Sequence, residues 1–241
     1  MEVLGIDIGG SAIKGAIVNI QTGQFVGEKY RIETSQPAPI TEIVETVKKI
    51  VEHFNWKGKI GCGFPAVVQN GVVKTASNID KQFIGVNVNE LFSKATGCEV
   101  NVINDADAAG FAELMFGVVQ HFQGLAIFLT VGTGIGSAIF NKGILTPNSE
   151  LGQIYMKNGL KAEKYTSDAV RKKDNIDWSD WGMRFNEYLN YIDKLFYPEL
   201  IIIGGGTSKR FDKFQKELTL KTPVIPAKLL NDAGIIGAAL V

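Results

Sequence analysis

The sequence has very few of the side chains that form disulfides or bind structural metals. Its 241 residues include two cysteines, Cys62 and Cys98, and two histidines, His53 and His121. Two cysteines are too few for a disulfide framework, and neither pair has the spacing of zinc ligands. We therefore expect reduced, buried thiols, no structural zinc and a cytoplasmic location.

An excess of charge of either sign and a long apolar run are also missing. Lys and Arg together number 25, as do Asp and Glu, so the formal net charge is zero. A balanced chain has no global field that attracts nucleic acid or an anionic membrane surface. No apolar run approaches the roughly 20 residues of a membrane span, and the first residues lack the pattern of a signal peptide. We expect neither nucleic acid nor a membrane as a partner.

Glycine, in contrast, is abundant, and three glycine clusters follow apolar runs that predict strands. The clusters are Gly9-Gly10-Ser11, Gly132-Thr133-Gly134 and Gly204-Gly205-Gly206. Backbone N–H groups near glycine can approach a phosphate because no Cβ atom intervenes. Each cluster is equally compatible with an ordinary hairpin turn.

Two common nucleotide motifs do not fit these clusters. A P-loop requires G-x-x-x-x-G-K-[ST], and none of the clusters provides it. A dinucleotide fingerprint requires G-x-G-x-x-G between a strand and a helix. Gly132 and Gly134 match, but Ser137 occupies the last position and the next segment is predicted to be a strand. This argues against an NAD-dependent oxidoreductase.

The opening pattern recurs about half a chain length later, which indicates two similar domains. Asp7-Ile8-Gly9 aligns with Thr130-Val131-Gly132, each at the end of a predicted strand. We place one domain at residues 1–104, with residues 230–241 returning to it, and the other at 105–229. Hydrophobic spacing predicts helices from about residue 41 and over residues 106–116, 163–171, 178–196 and 231–240.

Three polar residues at strand ends are candidates for chemistry. Asp7 could hold Mg²⁺ directly or through water, and Lys14, just beyond the turn, could add a positive charge. A turn-stabilising aspartate and a solvated lysine are the alternatives. Asp105 lies between a strand and a helix, where it could be a reactive carboxylate or a helix N-cap.

Several motifs in their order along the chain resemble one protein family. The segment from Gly5 to Ser11, with Lys14, resembles the first phosphate motif of actin-like sugar kinases. The segment from Thr130 to Gly136 resembles their second phosphate motif, and Gly204-Gly205-Gly206 resembles their adenosine motif. Glu150-Leu151-Gly152 is similar to the sugar signature of the ROK family (repressors, open reading frames and kinases). Further segments resemble the polyphosphate-using glucokinases of that family: residues 78–81, 104–110, 166–172 and 231–239.

The resemblance implies an α/β, actin-like fold of two ribonuclease-H-like domains with a cleft between them, usually in a homodimer. It implies phosphoryl transfer from polyphosphate, ATP or both, with Mg²⁺, to the 6-hydroxyl of glucose or a related hexose. Asp105 would be the catalytic base. The implied sugar-binding residues are Asn78, Asn104, Glu150, Gln153 and Glu163. The implied phosphate- and nucleotide-binding residues are Asp7, Gly9, Gly10, Ser11, Lys14, Thr130, Gly132, Thr133, Gly134, Gly204, Gly205 and Gly206.

Three positions depart from the family pattern. Gln153 occupies a position where the family commonly has histidine, and Ala66 follows Gly63-Phe64-Pro65 where glycine is usual. Residues 154–160 contain none of the cysteines of the zinc loop that many relatives carry. The first two departures concern which hexose is bound.

A cluster of basic residues bears on which phosphoryl donor is used. The basic run Arg171-Lys172-Lys173, together with Lys74 and Lys81, could bind polyphosphate or could be a solvated surface.

The alternative to a sugar kinase is a sugar sensor with the kinase fold and no significant catalysis. Repressors of the family have a DNA-binding segment before the sugar domain, and with the hairpin turn as early as Gly9 we expect no such segment here.

Overall fold

The computed structural model describes residues 1–77 and 79–241 and divides into two compact units. The first contains Met1–Phe116 and Asp232–Val241, and the second contains Gly117–Asn231. The boundary drawn from the sequence at residue 104 differs from this division by one helix. Residues 105–116 belong to the first unit because they pack against its last helix and two of its strands.

The first unit is built on a mixed five-stranded sheet. The strands of the whole unit, including two outside this sheet, are β1 (Glu2–Ile8), β2 (Ala12–Asn19), β3 (Gln24–Glu33), β4 (Ile60–Phe64), β5 (Val68–Gln69), β6 (Val72–Val73) and β7 (Val100–Asn104). The sheet order is β3-β2-β1-β4-β7, and β5 and β6 form a separate ribbon. The α-helices that the structure describes before residue 117 are α1 (Ile40–His53), α2 (Val88–Thr96) and α3 (Asp105–Phe116). Strands β1, β4 and β7 are parallel, whereas β1, β2 and β3 pair antiparallel.

Local signals explain the helices of the first unit. Helix α1 buries Ile43, Val47 and Ile50, which recur at the three- and four-residue spacing of one helix face. Helix α2 is absent from the sequence-based prediction, although its end signals are present. Asn87 accepts a hydrogen bond from the Glu90 N–H at its start, and Gly97 ends it with φ +72°.

The second unit repeats the sheet architecture of the first. Its strands are β8 (Leu125–Val131), β9 (Ile135–Asn141), β10 (Ile144–Thr146), β11 (Leu200–Gly204) and β12 (Val224–Pro226). They are arranged β10-β9-β8-β11-β12, with the same sequence of antiparallel and parallel pairings. This confirms the internal repeat.

The helices of the second unit are α4 (Ala162–Thr166), α5 (Asp168–Lys173) and α6 (Trp178–Phe196). The prediction of one helix over residues 163–171 is wrong. Ser167 has ψ 160°, which breaks the helix, and its side chain accepts the N–H of Val170 to begin α5. Helix α6 buries Trp181, Phe185 and Leu189 along one face, and the Asp177 side chain caps it by accepting the Asp180 N–H.

Helix α7 (Ala233–Ala238) returns to the first unit, preceded by a 3-10 turn at Leu230–Asp232. It lies against β1, β4 and α3 at very short range. A Cβ atom at Gly5, Gly61 or Gly237 would overlap a backbone carbonyl group across this contact. Only glycine permits such an approach, which explains the small residues at this end of the chain. Within the described residues, no helix has the length and apolar character to cross a lipid bilayer.

Candidate active site

In the first unit, the candidate residues lie at the carboxyl edge of the parallel strands. Asp7 of β1 is in register with Gly63 of β4, and Phe64, next along β4, is in register with Asn104 of β7. Asp105 follows immediately as the first residue of α3. Open α/β sheets bind ligands at this edge, so Asp7 and Asp105 occupy positions suited to a substrate.

The Asp7 carboxylate is held beside one cation. Its Oδ2 atom lies 3.5 Å from Nζ of Lys14, and the side chain is 19% exposed. Burial raises the pKa of Asp7, and the charge and hydrogen bonding of Lys14 oppose that shift. A Cβ atom on Gly234 would lie 2.9 Å from the Asp7 Cγ, so glycine there leaves room for the carboxyl group.

This carboxylate fits the way that Mg²⁺ binds in phosphoryl-transfer sites. Mg²⁺ is usually held by one or two carboxylates together with substrate phosphates and water. Across residues 1–77 and 79–241, the structure contains no group of three or more His, Cys, Asp and Glu side chains arranged to hold a metal ion. A single carboxylate such as Asp7 could hold Mg²⁺ only together with ligands of this kind.

Asn104 and Asp105 both accept hydrogen bonds at the start of α3. The buried Asn104 side chain caps α3, because its Oδ1 accepts the N–H groups of Ala106 at 2.9 Å and Asp107 at 3.1 Å. Its amide also donates to the Ala66 carbonyl oxygen at 3.1 Å. One amide N–H remains for a sugar hydroxyl. Asp105 is half-buried, and its Oδ1 accepts the Ala106 N–H at 2.8 Å, which orients the carboxylate.

The first glycine turn connects β1 to β2. The Gly9 N–H donates to the Ala12 carbonyl oxygen at 3.0 Å. Gly10 and Ser11 are exposed at the tip of the turn. Their backbone is therefore accessible to a phosphate group.

The second glycine turn connects β8 to β9 and is anchored to α5. The Gly132 N–H donates to the Gly134 carbonyl at 3.0 Å, and the Gly132 carbonyl accepts the Ala169 N–H at 3.1 Å. The third cluster lies beside this turn, because Gly204 of β11 is in register with Thr130 of β8. Gly205 has φ +73°, and a Cβ atom there would lie 2.6 Å from the Val131 oxygen. The two glycine clusters of the second unit thus end at the same edge of one sheet.

The carboxylates of the sugar signature are also in the second unit. Glu163 lies against the second glycine turn, since a Cβ atom on Gly134 would be 2.9 Å from its Oε2. Lys164 Nζ lies 3.6 Å from Glu163 Oε1. Glu150 is exposed as a residue, but partial burial of its carboxyl group raises its pKa, and the negative charge of Glu163 raises it further. The two carboxylates are therefore near enough to repel each other.

Gln153 has a partner that the sequence did not identify. Lys161 Nζ donates to the Gln153 side-chain oxygen at 2.8 Å. Eight residues separate them, so the contact requires a local fold that spacing alone does not reveal. Asn78, the remaining predicted sugar-binding residue, lies outside the described residues.

A pocket of about 430 Å³ lies beside the second glycine turn. It is lined by Thr133, Glu163 and Lys164 and, on and around α5, by Ser167, Ala169, Val170, Lys173 and Asp174. This position places Lys173 close to a candidate phosphate-binding turn.

The other two members of the basic run have local partners. Arg171 Nε lies 2.8 Å from Asp168 Oδ1, and its guanidinium lies 4.0 Å from the centre of the Trp178 ring. Lys172 Nζ lies 2.7 Å from Asp168 Oδ2. Burial alone would raise the pKa of Asp168, but the hydrogen bonds from Lys172 and Arg171 and their charges outweigh it, so the net pKa is lowered.

Comparison with known proteins places this arrangement in one family. Residues 3–163 match the ROK family. The chain is 42% identical over 237 residues to a polyphosphate glucokinase of Mycobacterium tuberculosis, covering 98% of this chain and 89% of that protein.

Solved structures agree with the sequence match. The crystal structure of an inorganic polyphosphate/ATP-glucomannokinase from Arthrobacter sp. strain KM matches with a TM-score of 0.95 and 40% identity, covering 99% of this chain and 97% of that one. A ROK family glucokinase from Streptomyces griseus, in complex with glucose and AMPPNP, matches with a TM-score of 0.85 and 22% identity over 99% and 98% of the chains. The latter shows the fold alone. The actin-like α/β fold expected from the motifs is confirmed, and this chain belongs to the ROK family.

Proposed function

We propose that this protein is a sugar kinase that transfers a phosphoryl group from polyphosphate, ATP or both to the 6-hydroxyl of glucose or a related hexose. The observation that carries the proposal is the 42% identity to a polyphosphate glucokinase over 98% of the chain. The site residues support it, because the glycine turns and Asp105 lie at the ends of strands or helices and the carboxylates of Glu150 and Glu163 lie near each other.

Asp105 is the proposed catalytic base. Phosphoryl transfer passes through a loose transition state, so the protein mainly positions the reactants and neutralises charge. The Asp105 carboxylate accepts the proton of the sugar hydroxyl as its oxygen attacks phosphorus. The Ala106 N–H holds one of the carboxylate oxygens at 2.8 Å, which limits rotation of the group.

Glu150, Gln153 and Glu163 are the proposed ligands of the sugar ring. Carboxylates are strong acceptors for hydroxyl protons, and the side-chain amide of Gln153 can donate. Asn104 contributes at most one donor, because capping and the bond to Ala66 occupy the rest of its amide. The predicted role of Asn78 stays a prediction.

The backbone N–H groups of each of the first two glycine turns are proposed to bind phosphate groups of the donor, with Lys14 supplying positive charge beside the first turn. Mg²⁺, when bound at Asp7, would neutralise negative charge on the donor. Gly204, Gly205 and Gly206 are proposed to bind the adenosine part of ATP. The pocket at Thr133 and Lys173 is proposed to take the remaining phosphates of either donor.

We also propose a cytoplasmic homodimer. The support for association is a stripe on α6, where Met183, Tyr191 and Leu195 are 50%, 42% and 53% exposed at spacings of four or eight residues. Sedimentation of the purified protein tests the oligomeric state. A monomer at micromolar concentration would contradict the dimer.

The experiment that tests the proposed function is a matrix of hexoses against donors. Glucose, mannose and galactose are each incubated with ATP or polyphosphate in the presence of Mg²⁺, and the 6-phosphate is quantified. We expect glucose to be phosphorylated with at least one donor. Sugar binding without any product would instead favour the non-catalytic sugar sensor.

A further inference from the structure

A short hairpin brings Lys161 to Gln153. The Ala162 N–H donates to the Ile154 carbonyl at 2.8 Å, and the Met156 N–H donates to the Leu160 carbonyl at 2.8 Å. Between these bonds the chain reverses, and Lys161 Nζ lies 2.8 Å from the Gln153 Oε1. Both side chains belong to partly buried residues, so the contact is shielded in part from water.

The chemistry of the lysine fixes the orientation of the amide. An ammonium group donates hydrogen bonds and accepts none, so it selects the oxygen of the Gln153 amide and not its nitrogen. The amide nitrogen of Gln153, with two N–H donors, is left for other partners. The neighbouring carboxylates of Glu150 and Glu163 can only accept when ionised.

We propose that Lys161 is a positioning residue that fixes Gln153 as a hydrogen-bond donor to one hydroxyl of the hexose and thereby contributes to the choice between epimers. The inference rests on the proposed function, because it takes Gln153 as a sugar ligand. A hydroxyl that accepts from Gln153 can give its own proton to a carboxylate. An epimer with that hydroxyl on the other side of the ring loses the donor from Gln153.

Lys161→Met tests the inference, because methionine keeps most of the aliphatic length and removes the donor. We expect KM for glucose to rise about three- to tenfold, the effect of one lost hydrogen bond. We expect kcat to stay within about twofold and the glucose-to-mannose ratio of kcat/KM to fall. Lys161→Arg restores a donor and should recover most of the wild-type KM. Lys157→Met is the matched control, since Lys157 is an exposed lysine of the same hairpin.

A double-mutant cycle separates positioning from a structural role. In a Gln153→Ala background, Lys161→Met should have little further effect on glucose binding measured by calorimetry. A full effect of Lys161→Met in that background, or a wild-type KM in the single variant, would overturn the inference. Turnover of glucose by the wild-type protein tests the proposed function separately. Calorimetric measurement of glucose binding tests the role of Lys161 even if the protein has no turnover. Failure of the wild-type protein to bind any hexose would overturn both.

Discussion

Glu150 and Glu163 are two carboxylate residues that lie close enough for the charge of one to affect the pKa of the other. Burial raises the pKa of Glu150, and the charge of Glu163 adds to the shift. A raised pKa means that the folded protein disfavours the ionised carboxylate more than the unfolded chain does. At neutral pH the burial of the ionised Glu150 carboxylate and its repulsion by Glu163 destabilise the fold. A sugar hydroxyl that donates a hydrogen bond to Glu150 would offset part of this destabilisation.

Glu150→Gln should therefore raise stability while weakening sugar binding. We expect Tm at pH 7 to increase on the order of 1–2 °C and KM for glucose to rise by at least about tenfold, because a charged acceptor is lost. The gain in Tm should shrink as pH falls through the raised pKa of Glu150. It should vanish below the ordinary glutamate value of 4.5, where Glu150 is protonated in both states. Thermal melts across pH measure this, and a variant less stable than wild type at pH 7 would contradict it.

The sequence alone does not show which of Asn104 and Asp105 caps α3, and a catalytic role for Asp105 stays a prediction. Both residue types cap helices well, and the choice depends on the Asn104 amide reaching Ala66, which lies 38 positions earlier. The link between Lys161 and Gln153 was missed for a similar reason. It exists only because residues 154–162 form a hairpin.

Among the elements, α7 is positioned by contacts that leave no space for side chains. A Cβ atom on Gly237 would overlap the Ala108 carbonyl of α3. The same helix places Gly234 beside Asp7. Displacement of α7 would therefore disturb both the core of the first unit and a candidate metal ligand.

Gly237→Ala should destabilise the protein by about 1–3 kcal/mol, the usual range for an overpacked core. Gly206→Ala is the control for stability, because a methyl group there meets no described atom within 4 Å. Denaturant unfolding of both variants measures the difference. Equal stability of the two variants would mean that α7 tolerates a shift.

Helix α5 should contribute to donor binding through Lys173 more than through its neighbours. Lys173 lines the pocket beside Thr133, whereas Lys172 pairs with Asp168 at 2.7 Å with its side chain 68% exposed. Lys173→Gln should raise KM for polyphosphate about three- to tenfold, and Lys172→Gln should change it less than about twofold. Added salt should weaken polyphosphate use by the wild type more than by Lys173→Gln. Equal effects of the two substitutions would indicate that the basic residues of α5 are a solvated surface and not a donor-binding site.

The elements themselves were predictable to different degrees. Strands beside the glycine turns and the amphipathic helices α1 and α6 follow directly from hydrophobic spacing. The break at Ser167 did not, because a serine inside a polar helical pattern can continue a helix or cap the next one. The short strands β10 and β12 form because they pair with β9 and β11, and three residues are too few to show a hydrophobic pattern that predicts a strand.

At the scale of the whole molecule, a half-length repeat in the sequence corresponds to two sheets with the same order and directions. The repeat places an acidic residue, Asp7, at the end of β1 and Thr130 at the end of β8. Family membership then explains why these ends are rich in glycine, since the resemblance assigns them to phosphate. The segment from Glu150 to Glu163, which the resemblance assigns to the sugar, occurs in the second unit.

We propose that this ROK-family protein phosphorylates a hexose with Asp105 as the base. The most direct measurement is kcat for glucose phosphorylation by Asp105→Asn, with glucose affinity measured by calorimetry in the same preparation. Asparagine keeps an oxygen to accept the Ala106 N–H, so fold and affinity should persist while kcat falls at least about a hundredfold. Asp212→Asn, at an exposed position, is the matched control and should leave kcat unchanged. A folded Asp105→Asn protein with near-wild-type kcat would show that Asp105 is not the catalytic base.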